Sequence, residues 1–179
     1  MTDHDGAIYT SLIASKTKVA PIKRLTIPRL ELCGAHLLTK LLEHVRTTLK
    51  IPIEQIYAWT DSTIVINWLD GSPRRFKTYV GNRVSFIIDR IPPNRWNHVS
   101  GEQNPADCAS RGLFPLELIE HKLWWNGPDW LKLHPSNWPE SLILPPDHHP
   151  STEERVVFSP VSFLKIQLSL SIVSLPLQD

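Results

Sequence analysis

The stretch Ile56-Tyr57-Ala58-Trp59-Thr60-Asp61-Ser62-Thr63-Ile64-Val65 constrains this chain more than any other. Its aromatic and β-branched start has the character of a buried strand. A carboxylate and two hydroxyls follow, residues that start helices, and then an amphipathic run from Thr63 to Leu69. A strand that feeds directly into a helix belongs to an α/β layout. It also leaves Asp61 at the carboxyl end of the strand, on the rim where open α/β sheets place their chemistry. On this stretch alone, capping the helix and serving a site account for Asp61 equally well.

The neighbouring segments extend the pattern. Gly6 to Ser15 reads as a strand after the turn signal Asp5-Gly6. It stands at the start of the chain with no visible hairpin partner, which suggests a missing upstream piece. Pro28 is placed for the first turn of a helix running to about Lys50. Leu30, Gly34, Leu37, Leu41 and Val45 form its apolar stripe, flanked by Leu38, Leu42 and Leu49. Glu31 falls in its first turn, where a negative charge also suits the helix dipole. Pro52 ends that helix, and a strand is expected over Ile53–Trp59.

After the loop Asp70-Gly71-Ser72-Pro73, the residues Arg74, Arg75, Lys77 and Arg83 surround Phe76 and Tyr79. Basic residues interleaved with aromatics can hold a phosphate backbone and stack on bases, although an amphipathic helix with a basic outer face has the same composition. Pro92-Pro93 closes this helix and Arg95–Val99 reads as another strand. Asn104 then suits an N-cap, Pro105 the first helical position, Asp107 the first turn and Gly112 the stop.

Many of the sixteen prolines fall after residue 114, so regular packed structure is not expected there. Four of the seven tryptophans, Trp124, Trp125, Trp130 and Trp138, lie in this part, which reads as an aromatic, proline-broken segment lying back on the domain. Pro145 to Glu154 is a polar linker; its His148-His149 pair lacks a third ligand at useful spacing, so no metal site is read there. Near the end, Leu164, Ile166, Leu168, Leu170 and Ile172 alternate with polar residues at strand period, with no obvious partner and hence as an exposed edge.

Charge narrows the partners. Residues 15–50 hold eight Lys and Arg against two acids, whereas residues 101–154 hold three against nine. A basic first half suits a polyanion. Two cysteines, Cys33 and Cys108, make neither a disulfide framework nor a metal cluster. Met1 leads into Thr-Asp-His-Asp-Gly rather than a basic and then apolar leader, and no apolar run is long enough for a membrane span. The expected setting is therefore intracellular, cytoplasm or nucleus, with no membrane contact and no secretion.

Three carboxylates, Glu31, Asp61 and Asp107, follow successive strands and could converge on one rim. Such acids can hold two divalent cations ~3.5–4 Å apart, clamping the attacking and leaving oxygens of a phosphodiester. Hard oxygen ligands select Mg²⁺ or Mn²⁺.

Several spaced segments resemble the Pol polyprotein of BEL/Pao-type LTR retrotransposons, in its ribonuclease H-like region and the start of the connection to integrase. They are Ala14–Pro21, Ile27–Leu32, Trp59-Thr60-Asp61-Ser62, Asn104-Pro105-Ala106-Asp107 with Ser110-Arg111-Gly112, and Leu123–Leu131, in that order over residues 6–140. The resemblance implies an RNA–DNA hybrid ribonuclease with a ribonuclease H-like mixed sheet and flanking helices. Glu31, Asp61 and Asp107 match the second, third and fourth acids of its two-metal site. His98 opens a segment like the retroelement His-Val-x-Gly-x-x-Asn-x-x-Ala-Asp run and reads as structural.

The chain departs from that family at the first acid. No Asp-Ala-Ser strand motif is present, and Asp3 and Asp5 fall where the family has a hairpin turn. The expected fold is therefore an α/β ribonuclease H-like domain lacking its first strands over residues 1–113. An irregular Trp/Pro-rich connection over 114–144 follows, then a linker and tail over 145–179. The expected nucleic-acid surface comprises Lys16, Lys18, Lys23 and Arg24 with Arg74, Arg75, Lys77 and Arg83, its partner an RNA–DNA hybrid or duplex. An upstream reverse transcriptase portion is a further expected partner. Hydrolysis is expected to be weak or absent, the alternatives being a non-catalytic binding remnant or a non-functional fragment. No Asp-Thr/Ser-Gly motif supports an aspartic protease.

Overall fold

The computed structural model describes residues 8–22, 24–139 and 165–171, the last as backbone. In chain order the elements are β1 (Leu12–Val19), α1 (Ile27–Leu49), β2 (Ala58–Thr60), α2 (Thr63–Asp70) and α3 (Thr78–Ile88). They continue with β3 (Trp96–His98), α4 (Ala106–Arg111), α5 (Pro115–Glu120), α6 (Lys122–Asn126) and β4 (Lys165–Ser171).

Helix α1 begins where Pro28 can sit without losing a helical hydrogen bond. It ends at Lys50, whose left-handed backbone (φ 56°) lets its N–H bond back to the Arg46 carbonyl. The buried face is broader than the periodicity suggests. Leu32 and Ala35 join Leu38, Leu42 and Val45 in the core, Leu41 is half-buried and Leu49 is exposed. The reason is that α1 has neighbours on several sides: α3, α2, β1 and β4 all lie against it. Because α1 starts at Ile27, Glu31 is its fifth residue and lies past the first turn, where the dipole is weaker than expected.

Strands β2 and β3 pair in parallel, with Ala58 beside Trp96, Trp59 beside Asn97 and Thr60 beside His98. Helices α2 and α3 form the crossover between them. Val65, Leu69, Val80, Val84, Ile87 and Ile91 close over Ala58 and Trp96 and meet the inner face of α1. This is a mixed helix and strand architecture with a small parallel sheet, compatible with an α/β ribonuclease H-like fold. The strand expected over Ile53–Trp59 is shorter. Ile53–Gln55 forms a 3₁₀ turn, with Gln55 N–H bonded to the Pro52 carbonyl and Ile56 N–H to that of Ile53. Donors satisfied locally do not enter a ladder, so pairing starts at Ala58.

The other sheet corrects two expectations. Among the described residues the first strand is Leu12–Val19, which starts later than Ile8 and runs past the Ser15 expected as its end, and it has a partner: β4 runs antiparallel to it, from Leu12 opposite Ser171 to Val19 opposite Lys165. The alternating tail is thus paired rather than a bare edge. A register shift between Leu12 and Ala14 marks an extra residue on β1. Asp3, Asp5, Lys23 and His148-His149 lie outside the described residues.

The Trp-rich stretch folds into short helices and 3₁₀ turns that return to the sheet. Trp124 and Leu131 are buried. Thr10 Oγ1 donates to the Asn126 carbonyl at 2.6 Å and Asn126 Nδ2 donates back to the Thr10 carbonyl at 3.0 Å, tying the start of the described chain to α6. Trp130 and Trp138 lie 5.6 and 5.4 Å from Trp59 between ring centres, and Trp138 meets Tyr57 edge-on at 5.1 Å. Among the described residues, no helix is long and apolar enough to cross a membrane.

Candidate active site and basic surfaces

Strand β2 ends at Thr60, and the next two residues do different work. Asp61 is exposed at the strand end. Ser62 is buried, and its Oγ accepts the Val65 N–H at 3.2 Å, capping α2. The Ser62 N–H is itself held by Thr60 Oγ1 at 3.2 Å. The same Ser62 hydroxyl donates to Glu31 Oε2 at 2.6 Å, which fixes the α1 carboxylate against the end of β2.

Electrostatics mark Glu31 and Asp61 as neighbours. Burial pushes the Glu31 carboxyl above its usual range, the Ser62 hydrogen bond pulls it partly back, and the Asp61 charge pushes it up again. A neighbouring carboxylate charge raises the proton affinity of a buried carboxyl.

Asp107 sits in the first turn of α4, its N–H bonded to the Asn104 carbonyl at 3.1 Å. Asn104 Oδ1 accepts the Ala106 N–H at 3.1 Å, but α4 starts one residue later than expected, at Ala106, so Pro105 rather than Asn104 precedes it directly. Ser110 Oγ donates to the Asp107 carbonyl, and Asp107 Oδ2 lies beside Gly101, 3.7 Å from where a Cβ there would stand. Among the described residues, no group of three or more His, Cys, Asp or Glu side chains is arranged to hold a metal ion. The structure therefore brings Glu31 and Asp61 together and does not gather Asp107 with them into such a group. The oxygen donors suit Mg²⁺ or Mn²⁺ chemically, but the described side chains do not assemble the donor set of a two-ion site.

The basic residues divide by place. Lys16 and Lys18 project from exposed positions on β1, and Arg24 is exposed ahead of α1. Arg74 and Arg75 lie on the exposed 3₁₀ turn Pro73–Arg75, with Lys77 just beyond. Arg83 is half-buried on α3; its guanidinium covers the Tyr79 ring at 3.6 Å and its Nη1 donates to the Tyr79 carbonyl at 3.0 Å. His98 lies in β3 opposite Thr60.

Three pairings had no signal in the sequence. The Ser62–Glu31 bond joins residues 31 apart that no local spacing relates. Cys33 Sγ lies 3.0 Å from the Tyr79 hydroxyl, an approach that helps burial raise the phenol above its usual range. Cys108 Sγ lies 3.4 Å from His121 Nε2. That pair is not an armed nucleophile. His121 Nδ1 accepts the Trp124 N–H at 3.3 Å, so the neutral ring carries its proton on Nε2, facing the sulfur it would have to deprotonate.

A small parallel strand pair with an acid at its carboxyl end, beside an acid from the preceding helix, is compatible with the class of α/β ribonuclease H-like folds. The comparison with family models agrees. Residues 1–62 match the Pao retrotransposon-like RNaseH-like domain, which supports the ribonuclease H region of a BEL/Pao retrotransposon Pol polyprotein over that part of the chain. The match contains Glu31 and Asp61 and stops before Asp107. No curated protein and no solved structure gives a match.

Proposed function

We propose that the chain is a retrotransposon-derived ribonuclease H-like domain that binds RNA–DNA hybrid or duplex and hydrolyses the RNA of a hybrid weakly or not at all. The observation that carries this reading is the Glu31–Ser62–Asp61 arrangement, two acids from different elements held at the end of a parallel strand. Mg²⁺ or Mn²⁺ would be held by these carboxylates and would supply charge neutralisation at the scissile phosphate. Within this reading Asp107 is the remaining expected ligand, although the described side chains do not group it with Glu31 and Asp61, and a first acid is not among the residues described. Lys16, Lys18, Lys23, Arg24, Arg74, Arg75, Lys77 and Arg83 supply the grip on phosphates. The truncation, the Trp/Pro connection, an intracellular setting and an upstream reverse transcriptase partner belong to the same reading.

A binding remnant without chemistry is the second reading, favoured by the absence of an assembled three-acid group among the described residues. Cleavage of a labelled RNA–DNA hybrid in Mg²⁺ and in Mn²⁺, with Asp61→Asn as control, separates the two. Cleavage that disappears in the control establishes the nuclease. Salt-sensitive binding that survives Asp61→Asn, without cleavage, establishes the remnant. Absence of both sinks the proposal.

A further inference from the structure

The seam between α1 and α3 carries a cation and aromatic ladder that the acidic pair does not use. At one end the Arg83 guanidinium lies 3.6 Å and that of Arg29 5.0 Å from the centre of the Tyr79 ring. Further along, Arg90 lies 3.7 Å over the Phe86 ring, with Lys40 Nζ 5.5 Å from the same ring. His36 meets the edge of Phe86 at 4.6 Å. Its surroundings register the local field: burial first, then the charges of Lys40, Arg83, Arg90 and Lys18, hold it down to about 4, so the ring is neutral at neutral pH. Glu43 accepts from Arg90 Nε at 3.2 Å and is an acid paired within this seam.

Lys18, Lys40, Arg83 and Arg90 thus act on one imidazole, Lys18 from β1, which packs against α1, and Glu43 offsets part of their repulsion at Arg90. The rings return part of that cost, and each arginine is anchored over its ring by a backbone bond, Arg83 Nη1 to the Tyr79 carbonyl at 3.0 Å and Arg90 Nη1 to the Phe86 carbonyl at 3.1 Å. Lys18 and Lys40 are exposed and the arginines half-buried, so the ladder has an open side. Its length also fits a ligand. Arg29 and Lys40 lie eleven positions apart on α1. At ~1.5 Å per residue that is about 17 Å, the axial length over which one strand of a duplex presents about five phosphates. Arg29 lies two residues before Glu31, so the ladder starts at the acidic end of α1.

We propose that the α1–α3 seam is a track for a nucleic-acid phosphate backbone, in which Lys18, Lys40, Arg83 and Arg90 meet phosphates and Tyr79 and Phe86 hold the arginines ready. The inference rests on the nucleic-acid reading above and adds Lys40 and Arg90 to the surface, but it does not require hydrolysis.

The test is fluorescence anisotropy of a labelled 20-base-pair RNA–DNA hybrid against the full chain, over a salt series. The double variant Lys18→Gln/Lys40→Gln should bind at least about ten-fold more weakly and lower the slope of log K against log salt by about two, roughly 0.9 for each phosphate no longer neutralised. Lys40→Arg should keep the slope, and Lys122→Gln/Lys132→Gln, off the seam, should bind as the wild type does. Both seam positions are exposed, so thermal melts of the variants should match the wild type; if the double variant unfolds, Lys40→Glu alone decides, a steep loss of affinity supporting the track. Wild-type binding with an unchanged slope in the variants overturns the track. No binding by the wild type overturns the nucleic-acid reading itself.

Discussion

The Ser62 hydroxyl donates to Glu31 Oε2 at 2.6 Å while its oxygen accepts the Val65 N–H, so a single side chain both starts α2 and fixes the acid of α1. Ser62→Ala removes both bonds at a buried position. The loss should amount to about 1–3 kcal/mol, combining a cap with a charge-assisted hydrogen bond. Urea denaturation should show a lower midpoint at an unchanged slope. In the same variant the Glu31 carboxyl should titrate higher, since the bond that pulls it down is gone. An unchanged midpoint would mean that the Ser62 bonds contribute nothing.

Glu31 itself should lower stability at neutral pH. Burial and the Asp61 charge raise its folded-state pKa above the unfolded value, so in that window the native chain binds more protons than the unfolded chain. Stability from this group is therefore present at low pH and is lost as pH rises through the folded pKa. Glu31→Gln removes the charge and keeps an acceptor for Ser62. It should be at least as stable as the wild type at pH 7, the gain kept small by solvent screening at a carboxyl that is only partly buried. Any hybrid cleavage should fall. A variant less stable at pH 7 than the wild type would contradict this account.

What could be read in the sequence follows from the range of the interactions involved. The helix expected from Pro28 to about Lys50, found as Ile27–Leu49, the Asn104 bond to the Ala106 N–H and the strand feeding Asp61 depend on neighbours a few residues away, which the sequence pattern shows. The start at Ala58 is not legible because the Ile53–Gln55 turn consumes backbone donors that an apolar run offers on paper to a ladder. The partner of β1 is not legible because β4 lies about 150 residues further on and no local signal links them. At the site, order and residue type mark Glu31 and Asp61 as candidates. The serine that ties Glu31 in place, and the Tyr79 and Phe86 rings under the arginines, depend on how α1, α2 and α3 pack together, which no spacing encodes.

His36 should make the fold acid-sensitive in a defined range. Its folded-state value is held down to about 4, chiefly by burial and then by Lys40, Arg83, Arg90 and Lys18. An unfolded His titrates near ~6.5. Between these values the unfolded chain binds the extra proton, so stability falls as pH drops through that window. The half-open position of the ring reduces the effect below the full linkage value. Melting temperature measured from pH 7 to pH 4 should decline, and His36→Gln should flatten part of that decline. Glu31 works in the opposite sense above ~4.5, so the comparison is cleanest in a Glu31→Gln background. An identical pH profile with and without the imidazole would exclude it as the titrating group.

Gly81 offers a test in which local propensity and packing predict opposite signs. It lies inside α3, where replacing Gly by Ala ordinarily gains about 1 kcal/mol of helix stability. A Cβ at Gly81, however, would stand 2.8 Å from the Pro73 carbonyl oxygen and 3.4 Å from that of Phe76. Both are backbone atoms of the turn that α3 packs against, and a backbone carbonyl does not swing aside as a side chain would. Forcing extra volume into such a close approach costs about 1–3 kcal/mol. Gly81→Ala should therefore be destabilising by about 1 kcal/mol net, while Asn82→Ala, exposed on the same helix, should gain a few tenths by propensity alone. Moving the turn would also displace Arg74 and Arg75 relative to Arg83, so hybrid affinity should fall in Gly81→Ala and hold in Asn82→Ala. If Gly81→Ala raised the urea midpoint, the close approach of α3 to the Pro73 turn would not be what the glycine is there to permit.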